Sequence, residues 1–161
     1  MTEQEKRDFF DFERKCQKIL DDYYKSRGHT VDRSKACKGF DCILDGTWKV
    51  EEKIRDREYN DILLEIIQDM ETNNPGWFNE TECDYLHYVF MKGENISRFI
   101  RFKWDKFRNW YIQDYLTIHS QNHCVVSARG WGVTVNLSIP INDIPNYLFF
   151  DDRPDCTDIL F

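Results

Sequence analysis

A hairpin signal at residues 40–55 constrains this chain more than any other segment. Asp45-Gly46 is a turn dipeptide, and both residue types tolerate the left-handed backbone that a tight hairpin needs. It follows Phe40-Asp-Cys-Ile-Leu44 and precedes Thr47-Trp-Lys-Val-Glu-Glu-Lys53, so the first segment can fold back antiparallel on the second. If Leu44 pairs with Trp48 across a three-residue loop, Asp41 falls opposite Glu51. Side chains alternate along a strand, which sends Glu51 and Lys53 to one face, roughly 7 Å apart. Trp48, Val50 and Ile54 go to the other face, where Phe40, Cys42 and Leu44 form the matching apolar row. Two carboxylates and a lysine therefore share one face of a hairpin whose reverse face is core.

Carboxylates held this close repel unless a positive charge lies between them. Oxygen ligands of this kind suit a hard divalent cation, magnesium or manganese. A lysine ammonium beside them can orient water or neutralise a phosphate, a combination that belongs to phosphodiester hydrolysis. The plainer reading is a solvated face, since Lys49, Glu51 and Lys53 alternate in sign and, with Arg55, could pair across strands.

On these residues the chain resembles the PD-(D/E)XK nuclease superfamily. The signature of that group is an aspartate near the start of one strand and (D/E)-x-K on the next, here Asp41 and Glu51-Glu52-Lys53. The resemblance extends over most of residues 10–91, and the stretches at 50–53, 61–65 and 76–85 look like small phage and bacterial members. Phe40 stands where the family has proline. The resemblance implies a restriction-endonuclease-like fold, with Asp41 and Glu51 on one Mg2+ (Mn2+ as substitute) and the Glu52 carbonyl as a further ligand. It also implies Lys53 as a catalytic group and products bearing 5′-phosphate and 3′-hydroxyl ends. The first helix of the family often adds a glutamate to the metal site, and Glu13 is the matching position. The Gln-x-x-x-Tyr of exonuclease relatives has no counterpart in residues 84–88.

At 161 residues the chain can bury about two thirds of its unfolded surface, enough for one core and one domain spanning 1–161. With 12 Phe, 8 Tyr and 5 Trp, disorder is not expected. A charged start and no long apolar run predict a cytoplasmic protein with no membrane partner, in a bacterial or phage-infected cell by the resemblance. The six cysteines show no CxxC spacing and read as separate thiols. A net charge of -7 argues against a strongly nonspecific DNA binder, so any nucleic-acid contact must be a local patch. The best patch is Arg98, Arg101, Lys103, Lys106 and Arg108 interleaved with aromatic residues, which could grip a backbone and stack a base or could be the solvated edge of a core. Trp131, with Arg129, could form a substrate-facing tip between two strands.

Along the chain, Thr2 and Glu5 predict a capping box opening a helix to about residue 26. Residues 29–32 predict an edge strand, and 61–68 a strand apolar on both faces except for Glu65. A glutamate buried there needs a cation or an ion pair, so Glu65 is an auxiliary site candidate, with Arg55 or Arg57 as rival partners. Thr81 is expected to cap a helix through Tyr85, Tyr88 and Phe90. A strand at 96–103 and an aromatic helix at 104–116 follow, and Asp84 and His87 read as structural. The sum is an α/β domain with a central mixed sheet flanked by helices, acting as a Mg2+-dependent deoxyribonuclease. The alternative is an inactive nuclease fold that binds nucleic acid or protein. DNA is the partner that the resemblance implies, and a homodimer would suit two-strand cleavage although no separate dimerisation element is visible.

Overall fold

The computed structural model describes residues 2–119, 124–129 and 132–154. The first helix, α1 (Glu3–Ser26), starts at the expected capping box, in which Thr2 accepts from the Glu5 amide and the Glu5 carboxylate accepts from the Thr2 amide. The strands that follow form two sheets. A six-stranded mixed sheet has the order β1 (Val31–Asp32), β2 (Cys42–Leu44), β3 (Trp48–Arg55), β6 (Tyr85–Lys92), β7 (Asn95–Lys103), β10 (Phe149–Asp152). A four-stranded antiparallel sheet has the order β5 (Asn74–Pro75), β4 (Asp61–Asp69), β9 (Gly132–Pro140), β8 (Cys124–Arg129). Among the described strands only β3 and β6 pair in parallel. A short helix α2 (Trp77–Glu80) precedes β6, and α3 (Trp104–Trp110) runs through a π turn at Tyr111–Tyr115 into α4 (Leu116–His119).

The fold is thus mixed α/β, with a second sheet where a single central one was expected. The segment 61–69 is a strand as predicted, but it pairs with β9 in the smaller sheet and not with the hairpin. The larger correction is at 85–92, which is a central strand and not a helix capped by Thr81. Thr81 ends α2, and its hydroxyl is spent on the Gly39 carbonyl. Residues 86–91 are all buried, because β6 lies between β3 and β7 with cores on both faces. A strand covered on both sides reads as a continuous apolar run, which periodicity alone does not separate from a buried helix.

Alternation along β6 divides the two cores. Leu86, Tyr88 and Phe90 face one that includes Ile62, Leu64 and Ile139 of the smaller sheet and Phe107 and Tyr111 of the helical segment. Val89 and Met91 face the other, under Cys16, Leu20 and Tyr24 of α1. The hairpin core differs from expectation at its ends. Phe40 leaves the row of Cys42 and Leu44 and packs in the opposite core, while Trp48 stays 44% exposed. Gly76 is dictated by space, since a Cβ there would lie 2.2 Å from the Glu65 carbonyl oxygen. The four described cysteine thiols, Cys16, Cys37, Cys42 and Cys83, are free. Among the described residues no helix is long and apolar enough to cross a membrane.

Candidate functional site

The hairpin has the register read from its sequence: Leu44 faces Trp48, Ile43 faces Lys49 and Cys42 faces Val50. Asp45 and Gly46 both take positive φ, 53° and 69°, as the turn demands. The ladder continues one step further, with the Asp41 amide donating to the Val50 carbonyl at 2.8 Å. There β2 stops, and the next amide of β3, that of Glu52, donates to the Asp41 carboxylate at 2.7 Å. The side chain of Asp41 thus stands in for a missing strand, and the β3 edge beyond it is open. The expected aspartate has a structural reason to be where it is.

Glu51 is 5% exposed, and its carboxylate meets the Lys53 ammonium at 2.6 Å, so the pair shares a face as alternation required. Lys53 in turn lies 4.8 Å from the centre of the Trp77 ring, a cation–π contact. Burial pushes the Glu51 carboxyl up; Lys53 opposes this and the charge of Asp41 adds to it. Glu13, on α1, joins the group across a cleft of about 280 Å³ that it lines with Asp41, Glu52 and Lys53. Burial raises its carboxyl, Asp41 raises it further and Lys53 lowers it. Asp41, Glu51, Lys53 and Glu13 are therefore electrostatically joined.

Glu52 points to the face opposite Glu51, towards α1. Arg33 grips its carboxylate with two hydrogen bonds of 2.9 and 3.1 Å, and the Tyr24 hydroxyl donates to it at 2.9 Å. Burial still pushes the Glu52 carboxyl up, with Arg33 as the main opposing influence. That carboxylate is fully engaged, so only the carbonyl of this residue remains for a metal. The Tyr24 hydroxyl also lies 2.7 Å from His87 Nδ1. The period-two argument that placed Glu51 outside also places Glu52 among the apolar residues, and a glutamate there requires a cation. That signal pointed to a partner without identifying Arg33, which lies in the loop after β1.

The remaining candidates separate. Glu65 is half-buried on β4, and neither rival takes it: Arg55 pairs with Asp61 at 2.7 Å and Arg57 meets Asp56 at 3.7 Å. Arg98 is not available to phosphate, being 11% exposed and forked onto Asp151 at 3.0 and 2.7 Å. Arg101 and Lys103 are exposed on one face of β7 as expected, while Asp105 turns into α3, where Lys106 is also exposed. Asp84 is structural, accepting from the Lys49 amide at 2.9 Å. Trp131 and the Arg129 side chain lie outside the described residues. Among the described residues no three His, Cys, Asp or Glu side chains are gathered as a ready metal cage. The chain matches no family model, no curated protein and no solved structure.

Proposed function

We propose that this chain is a divalent-metal-dependent deoxyribonuclease whose reacting centre is the open edge of β3. The observation that carries the reading is that Asp41 and Lys53, which line the cleft with Glu13 at that edge, act on the carboxyls of both Glu13 and Glu51, each raised above its ordinary value, with Glu51 paired to Lys53. Perturbed carboxyls beside a lysine in a cleft are typical of catalytic groups. The donor set fits a hard cation: Asp41 and Glu51 would hold Mg2+ or Mn2+, with the Glu52 carbonyl as a further ligand. When bound, the ion supplies Lewis acidity towards water and a phosphate oxygen.

Lys53 neutralises Glu51 while no cation is held, and its ammonium offsets charge that develops on the phosphate in the transition state. The Trp77 ring limits the swing of that ammonium. Glu13, at the rim of the cleft, holds a proton more readily than an ordinary glutamate, which suits exchange with the attacking water or the leaving oxygen. The preference for DNA rests on the resemblance to PD-(D/E)XK nucleases.

The test is incubation with linear, circular, nicked and branched DNA in Mg2+ or Mn2+, followed by sizing of products and mapping of ends. Metal-dependent products with 5′-phosphates, lost in Asp41→Asn, are expected; no cleavage of any substrate in either metal overturns the reading. A second reading is an inactive nuclease fold that binds nucleic acid or protein. It is favoured by the lack of a ready three-residue cage among the described residues and by the net charge of -7. Calorimetric titration with Mn2+ separates the two, since the second reading requires no cation at Asp41 and Glu51.

A further inference from the structure

We propose that a second pocket, on the α1 side of the six-stranded sheet, binds one unpaired nucleotide, with its base against His87 and its phosphate at Arg101. The pocket is about 230 Å³ in volume and is walled by Tyr24, Trp48, Tyr85, His87, Phe99 and Phe150. That is somewhat below the roughly 300–1,000 Å³ of drug-sized ligand sites, a size for one planar ring system and not for a duplex.

His87 is 3% exposed, and its ring forms part of the wall. With the Tyr24 hydroxyl proton directed at an ionised Glu52, the 2.7 Å approach to His87 requires an Nδ1–H donor. This leaves Nε2 with a lone pair. Nε2 is buried and has no hydrogen-bond partner. Buried polar groups are satisfied in the great majority of cases, and each exception calls for a reason. Nε2 has almost no accessible surface, so a ring with an N–H or amino edge, entering between the half-exposed Trp48 and Phe150 rings, supplies the missing donor by parting the aromatic wall over it.

The charges select an anion. At the rim, Arg27 is taken by Asp152 and His29 by Asp45. Arg101 has no carboxylate partner among the described residues; its guanidinium lies 5.6 Å from the Tyr85 ring centre and 5.2 Å from that of Phe150. A planar donor-bearing ring joined to a phosphate meets both requirements, and aromatic rings beside an arginine are how single-stranded nucleic acid is commonly held. Trp48 and Lys53 are five residues apart on β3, roughly 17 Å, so the bound base belongs a few nucleotides from the scissile phosphate.

This inference rests on the nuclease reading for its choice of ligand, but its test does not need cleavage. Wild-type protein in EDTA is titrated calorimetrically with dAMP, dGMP, dCMP, dTMP, phenyl phosphate and inorganic phosphate. The deoxynucleotides are expected to bind about tenfold more tightly than phenyl phosphate, which has the ring and the charge without the ring donor. That advantage is expected to vanish in His87→Phe, and Arg101→Met, an exposed site that leaves the core untouched, is expected to weaken all phosphates. Equal affinity for phosphate, phenyl phosphate and nucleotides, or no binding of nucleotides, overturns the pocket. Cleavage without nucleotide binding sinks this inference alone, and nucleotide binding without cleavage sinks the nuclease reading alone.

Discussion

Glu51 and Lys53 form an ion pair that is nearly dry on the carboxylate side, and removing either partner should have different consequences. Burial, the largest influence on Glu51, raises its carboxyl above the ordinary 4.5 in the folded chain. The folded state then binds that proton more readily than the unfolded state. Its stabilising effect is complete below the unfolded value and is lost as pH rises through the folded one. At pH 7.5 the ionised side chain therefore costs stability, and Glu51→Gln should raise Tm by about 2–4 °C, with the gain shrinking towards pH 4. The same substitution should abolish metal-dependent cleavage; an E51Q protein that cuts at the wild-type rate removes Glu51 from the site. Lys53→Ala should lower turnover by about 10²–10³ while changing DNA affinity little, because the ammonium acts on charge that appears only in the transition state. Equal losses in kcat and in affinity would assign Lys53 to binding instead.

At the scale of elements, α1 is joined to β3 and β6 by Tyr24, Glu52, Arg33 and His87, and Arg33 also meets Asp21 at 2.8 Å. Arg33→Met leaves Glu52 buried with only the Tyr24 hydroxyl and the Cys42 thiol near it, which should cost about 3–5 kcal/mol in urea unfolding. The double variant Arg33→Met, Glu52→Gln should cost less than the single one, since it removes the stranded charge; a larger loss in the double variant would refute this account. These interactions mark the limit of what the sequence reveals. The β2–β3 register was legible because Asp45-Gly46 is a local device and because alternation is rigid, so the positions of Asp41, Glu51 and Lys53 followed from a few adjacent residues. Arg33, Tyr24 and His87 meet Glu52 from 19, 28 and 35 positions away, and no local pattern records such a meeting. The strand at 85–92 was hidden for a related reason: with cores on both faces it has no polar side to reveal its period. The assignment of 61–69 to a second sheet was equally hidden, because its partner β9 lies some 70 residues further on.

Over the whole molecule, where the acidic excess lies matters more than its size. The strand β10 carries Asp151 and Asp152 along the free edge of β7, and these two carboxylates take up Arg98 and Arg27. What remains exposed is Arg101, Lys103 and Lys106, none with a carboxylate partner among the described residues. If a chain with net charge -7 approaches a phosphate backbone through this limited stripe, the salt dependence of binding should count its members. For duplex DNA the logarithmic slope falls by about 0.9 for each phosphate that is no longer neutralised. The double variant Arg101→Ala, Lys103→Ala should therefore reduce the slope by about 2, measured by anisotropy with a metal-free E51Q background between low and moderate salt. Arg98→Ala should leave the slope unchanged and instead destabilise the fold by about 1–3 kcal/mol, less than a fully buried pair because Asp151 keeps 31% of its side chain in solvent. A slope that falls in R98A and not in the double variant would move the DNA-binding surface to the β10 edge and away from β7.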